Sequence, residues 1–120
     1  MDREKREWSA RTKAAQALGW VDERTRAVTP AIHPSTTFIR DADNQHRAGY
    51  SYSRDENPTY DQAEALLAEL EGGAAAMLFA SGMAAATAVF HTLRTGDHVV
   101  AQEVMYWGLR RWIRDFSDRY

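Results

Sequence analysis

Cysteine is absent from the chain, which excludes disulfides, thiolate metal sites and a cysteine nucleophile. No apolar run approaches the roughly 20 residues that a membrane span requires. The opening residues, Met1-Asp2-Arg3-Glu4-Lys5-Arg6-Glu7, are charged and carry no apolar stretch, so they do not read as a signal peptide. A large excess of one charge is lacking too. The formal net charge is −2, which argues against nucleic acid or a membrane surface as the main partner. His33, His46, His91 and His98 show no metal-ligand spacing, so no metal site is expected. Lysine is scarce, occurring only as Lys5 and Lys13. What remains, 44% hydrophobic and 27% charged over 120 residues, suits one soluble globular domain in the cytoplasm.

Residues 1 to about 18 place Trp8, Ala14, Ala15, Ala17 and Leu18 at the spacing of a modest amphipathic helix, which Gly19 would end. From Trp20 to about Asn57 no period is sustained. Pro30, Pro34, Gly49 and Ser35-Thr36-Thr37 read as loop and extended chain, unusually long for a compact domain. The loop contains an aromatic patch, Tyr50-Ser51-Tyr52-Ser53-Arg54, that a solvated linker would not need. Asn57-Pro58 then starts a helix, with a side-chain oxygen to cap free N–H groups and a proline where no donor is required. Ala63, Leu66, Leu67 and Leu70 give it an apolar face, and Gly72-Gly73 stops it. Residues 74–80 are expected as a first strand and Met83 to about Leu93 as a helix. A turn follows at Thr95-Gly96-Asp97, a short strand at 98–101, and a helix from Trp107 to about Ser117.

Alternating strands and helices with short loops predict an α/β fold built on a parallel sheet. Residues 1–57 read as an arm and partner-contacting loop, and 58–120 as the start of an α/β domain. Two strands do not complete such a sheet. The expectation is therefore a piece of a longer protein, or a chain that depends on partner chains.

The pivotal stretch is Met77-Leu78-Phe79-Ala80-Ser81-Gly82-Met83-Ala84-Ala85, an apolar run that breaks at Ser81-Gly82 and resumes as a helix. Glycine there lets backbone approach a ligand. The first N–H groups of the helix have no internal partner and sit at the positive end of its dipole. This suits an anion such as phosphate, although an isolated Ser-Gly also fits a plain strand-to-helix connection. Gln102-Glu103-Val104-Met105-Tyr106 follows the second strand and opens on the same side, where ligands of parallel sheets bind. Tyr106 suits either packing or a flat ring compound. Tyr52 and Arg54 could add a hydroxyl and a guanidinium to a phosphate, or Arg54 could simply be solvated. Arg110, Arg111 and Arg114 beside Trp107 and Trp112 read as a solvated arginine face with the tryptophans on the sheet. The acidic net charge disfavours a nucleic-acid contact there.

Ala27-Val28-Thr29-Pro30-Ala31-Ile32-His33-Pro34-Ser35-Thr36-Thr37-Phe38 resembles the start of the Cys/Met metabolism family of pyridoxal-phosphate enzymes. This is the trans-sulfuration group of cystathionine synthases and lyases. Tyr52-Ser53-Arg54-Asp55-Glu56-Asn57-Pro58-Thr59 is similar to the family's Y-S-R-x-x-N-P-T motif. Leu67-Ala68-Glu69-Leu70-Glu71-Gly72-Gly73, Ser81-Gly82-Met83-Ala84-Ala85 and Gly96-Asp97-His98-Val99-Val100 follow in the family's order. The match runs from about residue 12 to 114.

The resemblance implies the N-terminal arm and first βαβα portion of the large domain of a fold-type I enzyme, with pyridoxal 5'-phosphate as cofactor. By the same resemblance, Ser81, Gly82 and Met83 hold the cofactor phosphate through backbone N–H groups and the Ser81 hydroxyl, and Tyr106 stacks on the pyridine ring. Tyr52 and Arg54 reach the phosphate of a neighbouring subunit's cofactor, since family members are homotetramers built as dimers of dimers. The long loop would then be ordered by a partner chain. The implied reactions are β or γ elimination and γ replacement on sulfur amino acids or activated homoserine, with the cofactor as electron sink. Two positions depart from the pattern: Trp107 stands where the family usually has glycine after the tyrosine, and Val104 where an acidic residue is common. The lysine that anchors the cofactor and the aspartate facing its ring nitrogen belong to later family segments. Ser9-Ala10-Arg11-Thr12-Lys13 lacks the following glycine-histidine, so Lys13 is not read as that lysine, and the chain alone is expected to be inactive. The alternative is a non-catalytic chain acting at most as an association module.

Overall fold

A computed structural model describes residues 8–119. Its regular structure is helical: α1 at Ala10–Ala15, a 3-10 turn at Ala17–Gly19, α2 at Pro58–Glu71, α3 at Gly82–Phe90 and α4 at Trp107–Ser117. The chain falls into two compact units, Met1–Met77 and Leu78–Tyr120.

In the first unit, Ser9 caps α1 by accepting the Thr12 N–H on its Oγ at 3.3 Å. The helix expected over 1–18 is shorter than the spacing suggested, and residues 1–7 lie outside the described residues. It stops at Ala15 because Ala17, Leu18 and Gly19 take left-handed φ values of 43°, 58° and 79°. That bend presents the Ala17 carbonyl to Gln62 Nε2 of α2 at 2.8 Å. It also lays the Trp8 indole over Gly19, where an added Cβ would stand 2.9 Å from the ring. Lys13 of α1 pairs with Glu69 of α2. Tertiary contacts with α2 therefore accompany the break that periodicity did not show.

The start and stop of α2 follow its local chemistry. Asn57 Oδ1 accepts the Thr59 N–H at 2.8 Å, Pro58 occupies the first turn, and Gly72 closes the helix in a left-handed conformation at φ 66°. Its apolar face is only partly covered, with Leu67 40% and Leu70 37% exposed. The 20–57 stretch is not structureless. Thr37 and Tyr52 form an isolated antiparallel bridge, with Phe38 N–H donating to the Ser51 carbonyl at 3.2 Å and Ser53 N–H to the Thr36 carbonyl at 2.9 Å. Contacts within the chain thus give part of the loop an order of its own.

In the second unit, α3 packs against α4 through aromatic edges. Phe90 meets Trp112 at 5.4 Å and Phe116 at 6.1 Å between ring centroids, and Trp112 stacks on Phe116 at 4.8 Å. Trp112 therefore packs on an aromatic cluster rather than on a sheet, while Arg110, Arg111 and Arg114 are exposed as expected. The turn at residues 95–97 is formed: Asp97 N–H donates to the Arg94 carbonyl at 3.0 Å, with Gly96 at φ 94°.

The βαβα portion does not form. Residues 74–80 and 98–101 are irregular or bent, and the Thr37–Tyr52 bridge is the β pairing found among the described residues. An extended segment becomes a strand only when a neighbour takes up its N–H and C=O groups, and two short parallel segments supply too little pairing alone. Their side chains are correspondingly uncovered, with Met77 73%, Leu78 44% and Val100 89% exposed. No hydrophobic residue is fully buried among the described residues; the buried residue is Asn57, at 6% exposure.

Candidate cofactor-phosphate site

Ser81 is extended at φ −157° and ψ 156° and serves as the N-cap of α3. Its Oγ accepts the Ala84 N–H at 3.1 Å, and its carbonyl accepts the Ala85 N–H at 3.0 Å. The Gly82 and Met83 N–H groups belong to the first turn, which a helix leaves without intrahelical partners. A hydroxyl that accepts one bond still has its own O–H to donate, so Ser81 can cap the helix and face an anion together. Nothing lies within 4 Å of the Cβ position at Gly82. Its φ is not left-handed, so open space rather than backbone conformation distinguishes that glycine. Three donors around an open approach at the positive end of a helix fit a phosphate.

Tyr106 is the N-cap residue of α4 and is 61% exposed. Its ring folds back over Gly108, where an added Cβ would stand 2.7 Å from Cε1. Glycine at 108 is therefore what allows the ring its position. The neighbouring Trp107 is 64% exposed, its ring 6.0 Å from that of Tyr106 and tilted by 53°. A flat ring compound could stack on the exposed phenol ring, with the indole beside it.

Tyr52 and Arg54 lie in the first unit and are brought together. Arg54 Nη2 donates to the Tyr52 hydroxyl at 3.1 Å, and the guanidinium carbon stands 5.0 Å above the Tyr52 ring centroid. Most guanidinium donors remain for another acceptor. The structure thus makes one pair of Tyr52 and Arg54 and one helix start of Ser81, Gly82 and Met83.

Sequence reasoning missed what carries the Tyr52–Arg54 pair. Asn57 Nδ2 donates to the His33 carbonyl at 3.2 Å, and His33 N–H donates to Thr59 Oγ1 at 2.8 Å. The Tyr50 hydroxyl donates to Asp61 at 2.7 Å, which holds the phenol above its ordinary range, aided by burial and the Asp61 charge. Phe38 and Tyr50 pack at 5.4 Å. The one signal available was the Asn57-Pro58-Thr59 run itself, read as a helix start and as the end of the Y-S-R-x-x-N-P-T motif but given no role of its own. Among the described residues, no group of three or more His, Cys, Asp or Glu could hold a metal ion, and no helix is long and apolar enough to cross a membrane.

The family model of the Cys/Met metabolism PLP-dependent enzymes matches residues 11–120. Cystathionine gamma-lyase of Bacillus subtilis is 47% identical over 98 residues, covering 82% of this chain and 26% of the relative. Human cystathionine gamma-lyase is 38% identical over 96 residues, covering 80% and 24%. Cystathionine gamma-synthase of Mycobacterium bovis is 43% identical over 110 residues, covering 91% and 28%. The chain thus spans about a quarter of the length of the curated relatives it matches.

Proposed function

This chain belongs to the Cys/Met metabolism PLP-dependent enzymes, and we propose that it is the part of a trans-sulfuration enzyme that grips the cofactor phosphate. The enzyme's substrates are sulfur amino acids or activated homoserine, and its reaction is a β or γ elimination or a γ replacement. The observation that carries the proposal is the start of α3: a capped helix end, two first-turn N–H groups and open space at Gly82. When bound, pyridoxal 5'-phosphate supplies the electron sink that labilises bonds of an amino-acid substrate. The work of this chain's residues is to hold and orient it. Gly82 and Met83 donate N–H groups to the phosphate, Ser81 its hydroxyl, and Tyr106 supports the ring. Tyr52 and Arg54 reach the phosphate at a neighbouring subunit's site, as a homo-oligomer would allow.

In that enzyme residues 74–80 and 98–101 become neighbouring parallel strands of a fold-type I domain starting near residue 58, with 1–57 as the arm. Their exposed apolar side chains support this, since a larger sheet with helices on both faces would cover them. Exposed Val28, Ile32 and Ile39, at 70%, 81% and 97%, favour a second reading in which the chain is an association module only.

A chimera separates the two. Residues 11–120 are placed in the matching region of the Bacillus subtilis relative, and PLP binding and cystathionine cleavage are measured. Restored binding and turnover are expected. A folded chimera that binds no PLP would refute the cradle and leave the association reading.

A further inference from the structure

We propose that Asn57 is a positioning residue for the phosphate-binding pair Tyr52–Arg54, a proposal that rests on the role given to that pair above. Asn57 touches no cofactor atom in this scheme; it acts through the loop. Its side chain faces two ways. Oδ1 caps α2 through the Thr59 N–H at 2.8 Å, while Nδ2 donates to the His33 carbonyl at 3.2 Å. Thr59 Oγ1 accepts the His33 N–H at 2.8 Å. Both backbone groups of His33 are thereby tied to the first turn of α2.

From His33 the chain runs three residues to Thr36, whose carbonyl accepts the Ser53 N–H at 2.9 Å, beside the Thr37–Tyr52 bridge. The Tyr52 carbonyl in turn accepts the Asp55 N–H at 2.9 Å and the Glu56 N–H at 3.1 Å. Tyr52 and Arg54 therefore sit in a closed ring of bonds whose base is Asn57. At 6% exposure Asn57 is the buried polar residue among the described ones. Losing one partner of a buried bond costs more than the bond's net worth, so the latch matters more than an exposed bond would.

Replacing Asn57 by Asp separates its two tasks. A carboxylate keeps the acceptor that caps α2, and Asp caps about as well as Asn. It cannot donate to the His33 carbonyl. Thr59→Val is a second variant, removing the acceptor for His33 N–H while leaving the Thr59 backbone donor to Asn57.

Two measurements decide. Amide hydrogen exchange on the full 120-residue chain reads protection of the Phe38 and Ser53 N–H groups against that of α2. In the chimeric holoenzyme, the affinity ratio of pyridoxal phosphate to pyridoxal reads phosphate grip apart from ring contacts. For Asn57→Asp or Thr59→Val we expect faster exchange at Phe38 and Ser53, with α2 protection retained. The ratio should fall about three- to tenfold, the scale of one hydrogen bond. Arg54→Ala should lower it further, and Asn57→Asp should add nothing on that background. If Arg54→Ala lowers the ratio while Asn57→Asp and Thr59→Val leave it unchanged, the positioning role is wrong and the role of the pair stands. If Arg54→Ala itself leaves the ratio unchanged, the role of the pair fails and the inference fails with it. Equal losses for pyridoxal and its phosphate in Asn57→Asp would show general structural damage and overturn the positioning role.

Discussion

A side chain added at Gly82 should split cofactor binding from fold stability. A methyl group there meets nothing within 4 Å, and no left-handed φ stands in its way. Gly82 opens α3, and glycine inside a helix costs about 0.5–1 kcal/mol relative to alanine, mostly in backbone entropy. Gly82→Ala is therefore expected to leave the 120-residue chain as stable as before or up to ~1 kcal/mol more stable. The same methyl fills the space through which the proposed phosphate approaches the Gly82 and Met83 N–H groups. Loss of even one charge-assisted bond, about 1.5–3 kcal/mol, corresponds to roughly ten- to 150-fold in affinity. Gly82→Val adds bulk and should weaken binding further, with some helix propensity lost to branching. Urea unfolding of the chain and PLP titration of the chimera, run on the same two variants, read the two effects separately. Unchanged PLP affinity in a folded Gly82→Val protein would sink the phosphate cradle. A large stability loss in Gly82→Ala would show that the space beside the helix start is not open.

Ser81→Ala removes the acceptor of the Ala84 N–H, so α3 should lose about 1 kcal/mol of stability. PLP affinity should fall less than in Gly82→Val because the backbone donors remain; a larger fall would move the main contact to the hydroxyl. Gly108→Ala puts a methyl 2.7 Å from Cε1 of Tyr106 and should swing the ring off its place, visible as altered PLP absorbance and circular dichroism in the chimera. A spectrum identical to the parent's would remove Tyr106 from the ring site. Mixed dimers of the chimera, one subunit carrying Arg54→Ala and the other lacking the cofactor-anchoring lysine, should regain one good site if the pair acts across the subunit boundary. No recovery in a verified mixed dimer would refute that. Finally, the Asp22 carboxylate accepts from Thr25 Oγ1 at 2.7 Å and from its N–H at 2.5 Å, which holds its pKa below the ordinary 3.8. A depressed carboxyl stabilises its turn above the unfolded pKa and loses that contribution as pH falls through the folded one. Thr25→Val should bring the Asp22 titration, followed by carboxyl NMR, back up toward 3.8; an unmoved titration would exclude the Thr25 hydroxyl as the main cause.

What the sequence by itself determined is the part of the structure whose causes lie within a few residues. Asn57 and Pro58 start α2, Gly72 ends it in a left-handed turn, and Ser81 caps α3. The last helix runs from Trp107 to Ser117 as its pattern indicates. Caps, proline and glycine act through bonds to the next three or four residues, so their outcome is written locally. The order of the motifs was equally legible and led to the family. The tertiary structure decided whatever needs a distant partner. Residues 74–80 have the apolar run of a strand but form no ladder in this structure, and Met77, Leu78 and Phe79 stay 73%, 44% and 40% exposed. The first helix breaks two residues before Ala17, whose carbonyl meets Gln62, a residue 45 positions along the chain. Asn57 reads as a cap and a motif residue, and its latch shows only when His33, 24 positions earlier, arrives at its amide. Gly108 shows its purpose only once the Tyr106 ring lies over it. A hydrogen-bond ladder, a latch and a ring on a backbone are pairwise facts, and pairing is set by where the chain returns in space rather than by the residue that waits for it.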